Sequence, residues 1–173
     1  MIVRTQRVDP AQNPVLAEIE NKTGPNNFFR VMANRPEAME HFARFYDSLM
    51  GDRSVLEPRL KEMVYLAVSF VNECDYCTRH HTTAAHNLGF ADTEVDEIEN
   101  ETNTRFSQRE QAALHYAREL TRTASVDDDL RYRVQELFPD DQLVELTMLV
   151  GLANFTNRFN NGLAVAKDDA RAA

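Results

Sequence analysis

Residues 72–89 read "NECDYCTRHHTTAAHNLG" and hold both cysteines of the chain, Cys74 and Cys77, with His80, His81 and His86 just beyond them. Two thiols at C-x-x-C spacing with imidazoles nearby admit three chemistries: a metal site, a redox-active dithiol, or inert core packing. On a helix turning about 100° per residue, Cys77, His81, Ala84 and Leu88 share one narrow stripe, with Cys74 and Ala85 beside it. Arg79, Thr82 and His86 lie opposite, and His80 sits at the margin. The thiols and His81 are therefore expected on the inward face, and His86 on the surface.

That placement has chemical consequences. Cys77 and His81 are i, i+4 neighbours, so sulfur and imidazole can meet directly or through one water. Both cysteines fall in the first helical turn, where free amide N–H groups and the helix dipole favour a thiolate. Glu73 and Asp75 oppose this by disfavouring further negative charge. The i, i+3 spacing also lets the two sulfurs close a disulfide across the turn. An ionisable thiol, a nearby base and a second thiol are the requirements of reversible thiol oxidation. Zinc is the structural competitor: Cys74, Cys77 and His81 supply three ligands, and Glu62 is the available fourth for a site that usually needs four. His41 and His115 stand in other segments with no comparable companions.

The rest of the chain must position these groups. Its 173 residues, 43% apolar and 27% charged, suit one domain with a real core. The expectation is a single domain over residues 1–173 with its core at about 36–166. A net charge of −9 argues against a nucleic-acid partner, which needs a clustered basic face. No apolar run approaches the roughly 18 residues of a membrane span. The opening "MIVRTQRVDP" lacks the apolar stretch of a secretory signal, so a cytoplasmic location is expected. In a reducing compartment a C-x-x-C pair is more often catalytic or metal-binding than a structural staple.

The periodicity predicts an all-α bundle of seven or eight helices and no strand. "NPVLAEIENKTGP" is a short helix ended before Pro25, and "RPEAMEHFARFYDSLMG" starts at Pro36 and stops at Gly51. "LEPRLKEMVYLAVSFVNE" is broadly apolar, and the cysteine helix runs from Cys74–Asp75 to Gly89. "ADTEVDEIEN", then "SQREQAALHYARELTRT" with Ser107 and Glu110 at capping-box spacing, then "SVDDDLRYRVQELF" follow. "DDQLVELTMLVGLANFTNRFNNGLAVA" is the last helix, before a polar, frayed "KDDARAA". A weak internal echo lays residues 60–84 on 143–167, setting Cys74 and Cys77 opposite Asn157 and Asn160.

Extended backwards, the motif reads E-x11-C-x-x-C-x3-H over Glu62, Cys74, Cys77 and His81. This resembles the signature of the alkyl hydroperoxidase D family, within the carboxymuconolactone decarboxylase-like superfamily, over about residues 56–90. The helical layout and the "NRFNNGLAV" ending resemble the superfamily's peroxidase-related branch. The resemblance implies an all-α fold with an internal repeat, a homo-oligomer (trimer or hexamer), and thiol-dependent reduction of hydroperoxides or of a partner's disulfide. By position it implies Cys77 as the peroxide-reactive thiolate and Cys74 as a more exposed resolving thiol, the two forming the redox disulfide. His81 then takes or relays the proton, oriented by Glu62. The resemblance implies no haem, flavin or metal, and a dithiol reductant such as a lipoylated or thioredoxin-like protein. Where the founding members carry histidine this chain has Tyr76, a phenol with a pKa of about 10 that cannot serve as a base at neutral pH; His80 is the candidate to compensate.

Two other functions fit parts of the pattern. One is a non-catalytic, redox-responsive oligomer; the other is lactone decarboxylation, the superfamily's second chemistry, which needs no cysteine pair. A thiol titration distinguishes the redox reading from both metal binding and inert packing. One equivalent of hydroperoxide is expected to remove two thiols from zinc-free protein, and an added dithiol to restore them; retention of both thiols would rule out the dithiol chemistry.

Overall fold

The apolar segment after Pro58 lies at the centre of the fold. The structure, a computed structural model, describes residues 5–168. A 3₁₀ turn at Pro10–Gln12 precedes α1 (Pro14–Thr23), α2 (Asn27–Met32), α3 (Pro36–Met50), α4 (Pro58–Val71), α5 (Asp75–Asn87), α6 (Asp92–Glu99), α7 (Gln108–Thr123), α8 (Asp128–Leu137) and α9 (Asp140–Gly162). No strand occurs among the described residues, in keeping with the all-α expectation. None of their helices is long and apolar enough to cross a membrane.

Helix α4 is buried at every position from Leu60 to Ser69 and packs against α5, α6, α7 and α9. Val64, Tyr65 and Val68 join one core cluster with Ala113, Leu130, Val134 and Leu149. Met63, Leu66 and Ala67 join a second with Ala85, Phe90, Ile98 and Leu114. A third cluster, Leu16, Phe28, Phe29, Met32 and Met39, reaches Tyr76 of α5 and Phe159 of α9. Helix ends follow local chemistry. Ser107 Oγ accepts from Glu110 N while Glu110 Oε2 accepts from Ser107 N, the capping box their spacing predicts.

Several boundaries differ from expectation. The described residues hold nine α-helices rather than seven or eight. The additional one, α2, is nearly all buried over six residues, so it has no polar face to generate a helical period. Packed residues begin at Leu16, ahead of the core span 36–166. Leu88, placed by the wheel on the inward stripe, is 46% exposed because it is the C-cap where α5 ends. Helix α9 stops at Gly162, and Val165 N–H turns back to Asn160 O at 3.0 Å. Residues 165–168 then cross the start of α2, with Asn27 Nδ2 donating to Ala166 O and Lys167 O. Lys167 and Asp168 are thus held in place; the remainder of the expected frayed end, 169–173, lies outside the described residues.

The junction of α4 with α5 aims the cysteines. Cys74 N–H donates to Ser69 O at 3.0 Å and Glu73 N–H to Phe70 O at 3.1 Å, the paired bonds of a Schellman motif. Glu73 occupies the left-handed position, φ 51°, where glycine is usual. Cys74 therefore closes α4 and, as N-cap, opens α5. Gly89 (φ 88°) takes the same left-handed position at the far end of α5, with Phe90 N–H on Ala85 O at 3.1 Å. A β-branched residue tolerates this backbone worst. Glu73→Val is expected to destabilise the fold by about 1–2 kcal/mol and Glu73→Gly not to destabilise it, as read by urea denaturation; equal losses from both would show that the turn is not the constraint.

Candidate active site

Cys74 and Cys77 are joined as a disulfide, their Cα atoms 5.3 Å apart. Cys77 N–H donates to Cys74 Sγ at 3.3 Å, so the first sulfur caps the helix that carries the second. The expectation that Cys74 is the more exposed thiol is corrected: Cys74 is 0% and Cys77 3% exposed. Cys74 sits in the turn beneath the end of α4, its N–H bound to Ser69 O, whereas Cys77, a turn further on, lines a cavity.

One helical turn beyond Cys77, His81 is buried and its Nδ1 lies 2.7 Å from Glu62 Oε2. Glu62 shares the polar side of α4 with Ser69, a pattern that on a surface helix marks a solvated face. Here that side turns towards α5 and α9, leaving Glu62 8% exposed. Its acceptor oxygen defines the histidine's tautomer: Nδ1–H donates to the carboxylate, leaving Nε2 as the ring's proton acceptor. The imidazole also stacks on the Tyr65 ring, centroids 3.6 Å apart and planes 19° apart. Tyr65 Oη is anchored 2.7 Å from Thr156 Oγ1. Ring stacking and the carboxylate together leave His81 little freedom to rotate.

Cys77, His80, His81, Tyr65, Tyr76 and Asn160 are among the residues around a cavity of about 40 Å³. That is room for roughly one or two water-sized groups. A cleft of about 890 Å³, bordered by His115, Arg118 and Tyr132, shares no residue with it. His80 packs edge-on to His81, centroids 5.4 Å apart. Although His80 keeps an exposed edge, the surrounding protein holds its pKa below the ordinary histidine value.

Tyr76, the possible auxiliary residue beside Cys77, is bound to other parts of the chain. Its hydroxyl donates to the Asp168 carboxylate, 2.8 and 2.9 Å from the two oxygens, and accepts from Phe28 N–H at 3.3 Å. Burial, then the Asp168 charge, push its pKa upward, so it is a wall of the cavity and a tether for residues 165–168, and no base. Asp168 and Asn26, 3.3 Å from the same hydroxyl, carried no sequence signal. Asn160 was also missed as a site residue, although the echo with Cys77 marked its position: its Nδ2 donates to Cys77 Sγ at 3.3 Å. Glu145, which the echo pairs with Glu62, instead accepts from Ser54 Oγ and from the N–H groups of Val55 and Leu56.

The four candidate zinc ligands are engaged with one another, sulfur with sulfur and Glu62 with His81. Among the described residues no cluster of three His, Cys, Asp or Glu side chains is arranged to hold a metal ion. His86 faces outward, its Nε2 3.1 Å from Asp92 Oδ1. The assembled groups can exchange two electrons between a thiol pair and a small substrate and move a proton through His81.

The phenols around this site give a pH signature. Burial first, and then neighbouring Glu62 for Tyr46, Tyr46 for Tyr65 and Asp168 for Tyr76, raise the pKa of all three. A raised folded-state pKa leaves stability intact below the unfolded tyrosine value of about 10 and erodes it as pH climbs beyond. Ultraviolet titration is therefore expected to show three of the five tyrosines ionising only as the protein unfolds. Reversible ionisation of all five in the native state would show these rings to be solvated.

The profile of the carboxymuconolactone decarboxylase family matches residues 36–119. YnjA, an uncharacterised protein of Escherichia coli K12, is 31% identical over 123 residues, covering 70% of this chain and 68% of YnjA. A peroxidase-related protein with an alkylhydroperoxidase AhpD core from Ralstonia eutropha JMP134 superposes with a TM-score of 0.83 at 22% identity, over 98% of this chain and 94% of that one. The debrominase Bmp8 superposes with a TM-score of 0.84 at 18% identity, over 97% and 94%. These likenesses agree with the signature over Glu62, Cys74, Cys77 and His81: the chain belongs to the carboxymuconolactone decarboxylase family and has the alkyl hydroperoxidase D-like fold of its peroxidase-related members.

Proposed function

We propose that this protein is a thiol-dependent peroxidase that reduces hydroperoxides through Cys77 and Cys74, with Glu62 and His81 as proton relay. One observation carries the reading: Cys77, bonded to a second thiol, shares a small cavity with an imidazole whose other nitrogen is held by a buried carboxylate. This is the nucleophile, base and orienting group of an activated nucleophile.

In the reduced protein His81 Nε2 takes the Cys77 proton. The Cys77 thiolate attacks the terminal peroxide oxygen; an S–O bond forms, the O–O bond breaks, and the departing alkoxide is protonated by His81. The Cys74 thiolate then attacks the Cys77 sulfenic acid, forming the disulfide, and the hydroxide released leaves as water with the second thiol proton. An external dithiol, from a lipoylated or thioredoxin-like protein, reduces the disulfide and completes the cycle. His80, edge-on to His81 at the cavity, is the second proton acceptor. A homo-oligomer, trimer or hexamer, is part of this reading; exposed Phe45, Met148 and Phe155 on α3 and α9 support it.

With hydroperoxide and a small dithiol as substrates, Cys77→Ser is expected to reduce turnover to the uncatalysed rate. Glu62→Gln is expected to slow it, approaching about 10²-fold, with the disulfide still able to form. Retained turnover in Cys77→Ser would overturn the assignment, and one stoichiometric reaction without turnover would favour a redox-responsive oligomer. Lactone decarboxylation that survives in the Cys74→Ser/Cys77→Ser variant would reassign the protein to the family's other chemistry.

A further inference from the structure

Asn160 is 4% exposed, and its Oδ1 is a buried acceptor with no hydrogen-bond partner among the described residues. The other asparagines near the end of α9 are engaged. Asn154 and Asn157 use both ends of their amides, and Asn161 Nδ2 donates to Asn72 O. A buried amide oxygen without a hydrogen bond is costly and calls for a functional explanation. The sulfur determines which end of the amide is spare. A disulfide sulfur has no hydrogen to give, so the amide must meet Cys77 with its N–H, at 3.3 Å, and keeps Oδ1 uncommitted. Asn160 borders the same small cavity as Cys77 and His81.

We propose that Asn160 is a catalytic residue with two functions at Cys77. Its N–H stabilises the sulfur as thiolate, and its Oδ1 accepts the O–H of the hydroperoxide under attack. The inference rests on the peroxidase reading and narrows its substrate class to peroxides with a terminal O–H, excluding dialkyl peroxides. When the thiolate attacks the terminal oxygen of RO–OH, the S–O bond forms and the O–O bond breaks. The sulfur gives up two electrons, and RO⁻ leaves to take the proton held on His81. The hydrogen on the attacked oxygen stays where it is throughout. One acceptor therefore serves the O–H of the bound peroxide and the O–H of the sulfenic acid, holding the oxygen in line with the sulfur.

The test uses the Cys74→Ser protein, which stops after sulfenic acid formation, with and without Asn160→Ala. The Cys77 thiolate is followed by absorbance against pH, and its rates with hydrogen peroxide and with methyl methanethiosulfonate are measured. The second electrophile has no hydrogen to donate. Asn160→Ala is expected to raise the thiol pKa by about one unit and to slow the peroxide rate per thiolate about tenfold or more, leaving the methanethiosulfonate rate per thiolate unchanged. A purely structural role would move both rates together, and that result, or no change in either, would overturn the proposal. Should Asn160→Ala fail to fold, the isosteric Asn160→Asp keeps the oxygen and removes the N–H; an unchanged thiol pKa in that variant would equally overturn it. A Cys74→Ser parent no faster with peroxide than free cysteine would overturn the peroxidase reading, and this role of Oδ1 with it. A fast parent indifferent to Asn160→Ala would overturn this role alone.

Discussion

Helices α4 and α5 share their end residues, and the chemistry of the site hangs on that sharing. A chain leaving a helix must satisfy the last carbonyls, and a chain entering one must satisfy the first amides. Between Ser69 and Cys77 the same few residues do both: Cys74 gives its N–H to Ser69 O and accepts the Cys77 N–H on its sulfur. The turn is possible because Glu73 accepts a left-handed backbone, φ 51°. With the junction so tight, α5 has no freedom to rotate about its own axis relative to α4. Cys77 and His81 must then face the side of α4 that carries Glu62.

That side of α4 is polar yet buried, and the fold depends on completing its hydrogen bonds. Glu62 meets His81, Tyr65 meets Thr156, and Ser69 accepts from Asn157, which in turn accepts from Asn72. Each such group is costly to bury alone and tolerable when paired. The apolar clusters on either side supply the stability, while the polar row determines how α4, α5 and α9 align. Asn160 Oδ1 departs from this completeness, and it does so beside the Cys77 sulfur.

How legible this was differs by residue. The cysteine helix, its Gly89 stop and the Ser107–Glu110 cap could be read directly, because each depends on neighbours within four residues. Helix α2 could not: its burial removes the polar face on which periodic reading relies. Glu62 was singled out by its spacing to Cys74 within a family signature, and its contact with His81 shows that side chain turned inward; its place beside Ser69 on the polar side of α4 left a solvated side chain equally open. Leu88 failed for a local reason, since the wheel assumes a helix that in fact ends there.

The sequence by itself determined the local framework: all-helical segments, their caps, and two thiols with an imidazole on one face of one helix. These follow from i, i+3 and i, i+4 spacing, which a helix converts into proximity whatever surrounds it. Only the tertiary structure decided that Glu62 turns inward to His81, that Cys74 is more buried than Cys77, that Tyr76 tethers Asp168, and that Asn160 touches the Cys77 sulfur. Those contacts join residues from 19 to 92 positions apart. No local rule governs them, because which helix faces which is settled by the packing of whole apolar surfaces, and the polar partners meet as its consequence.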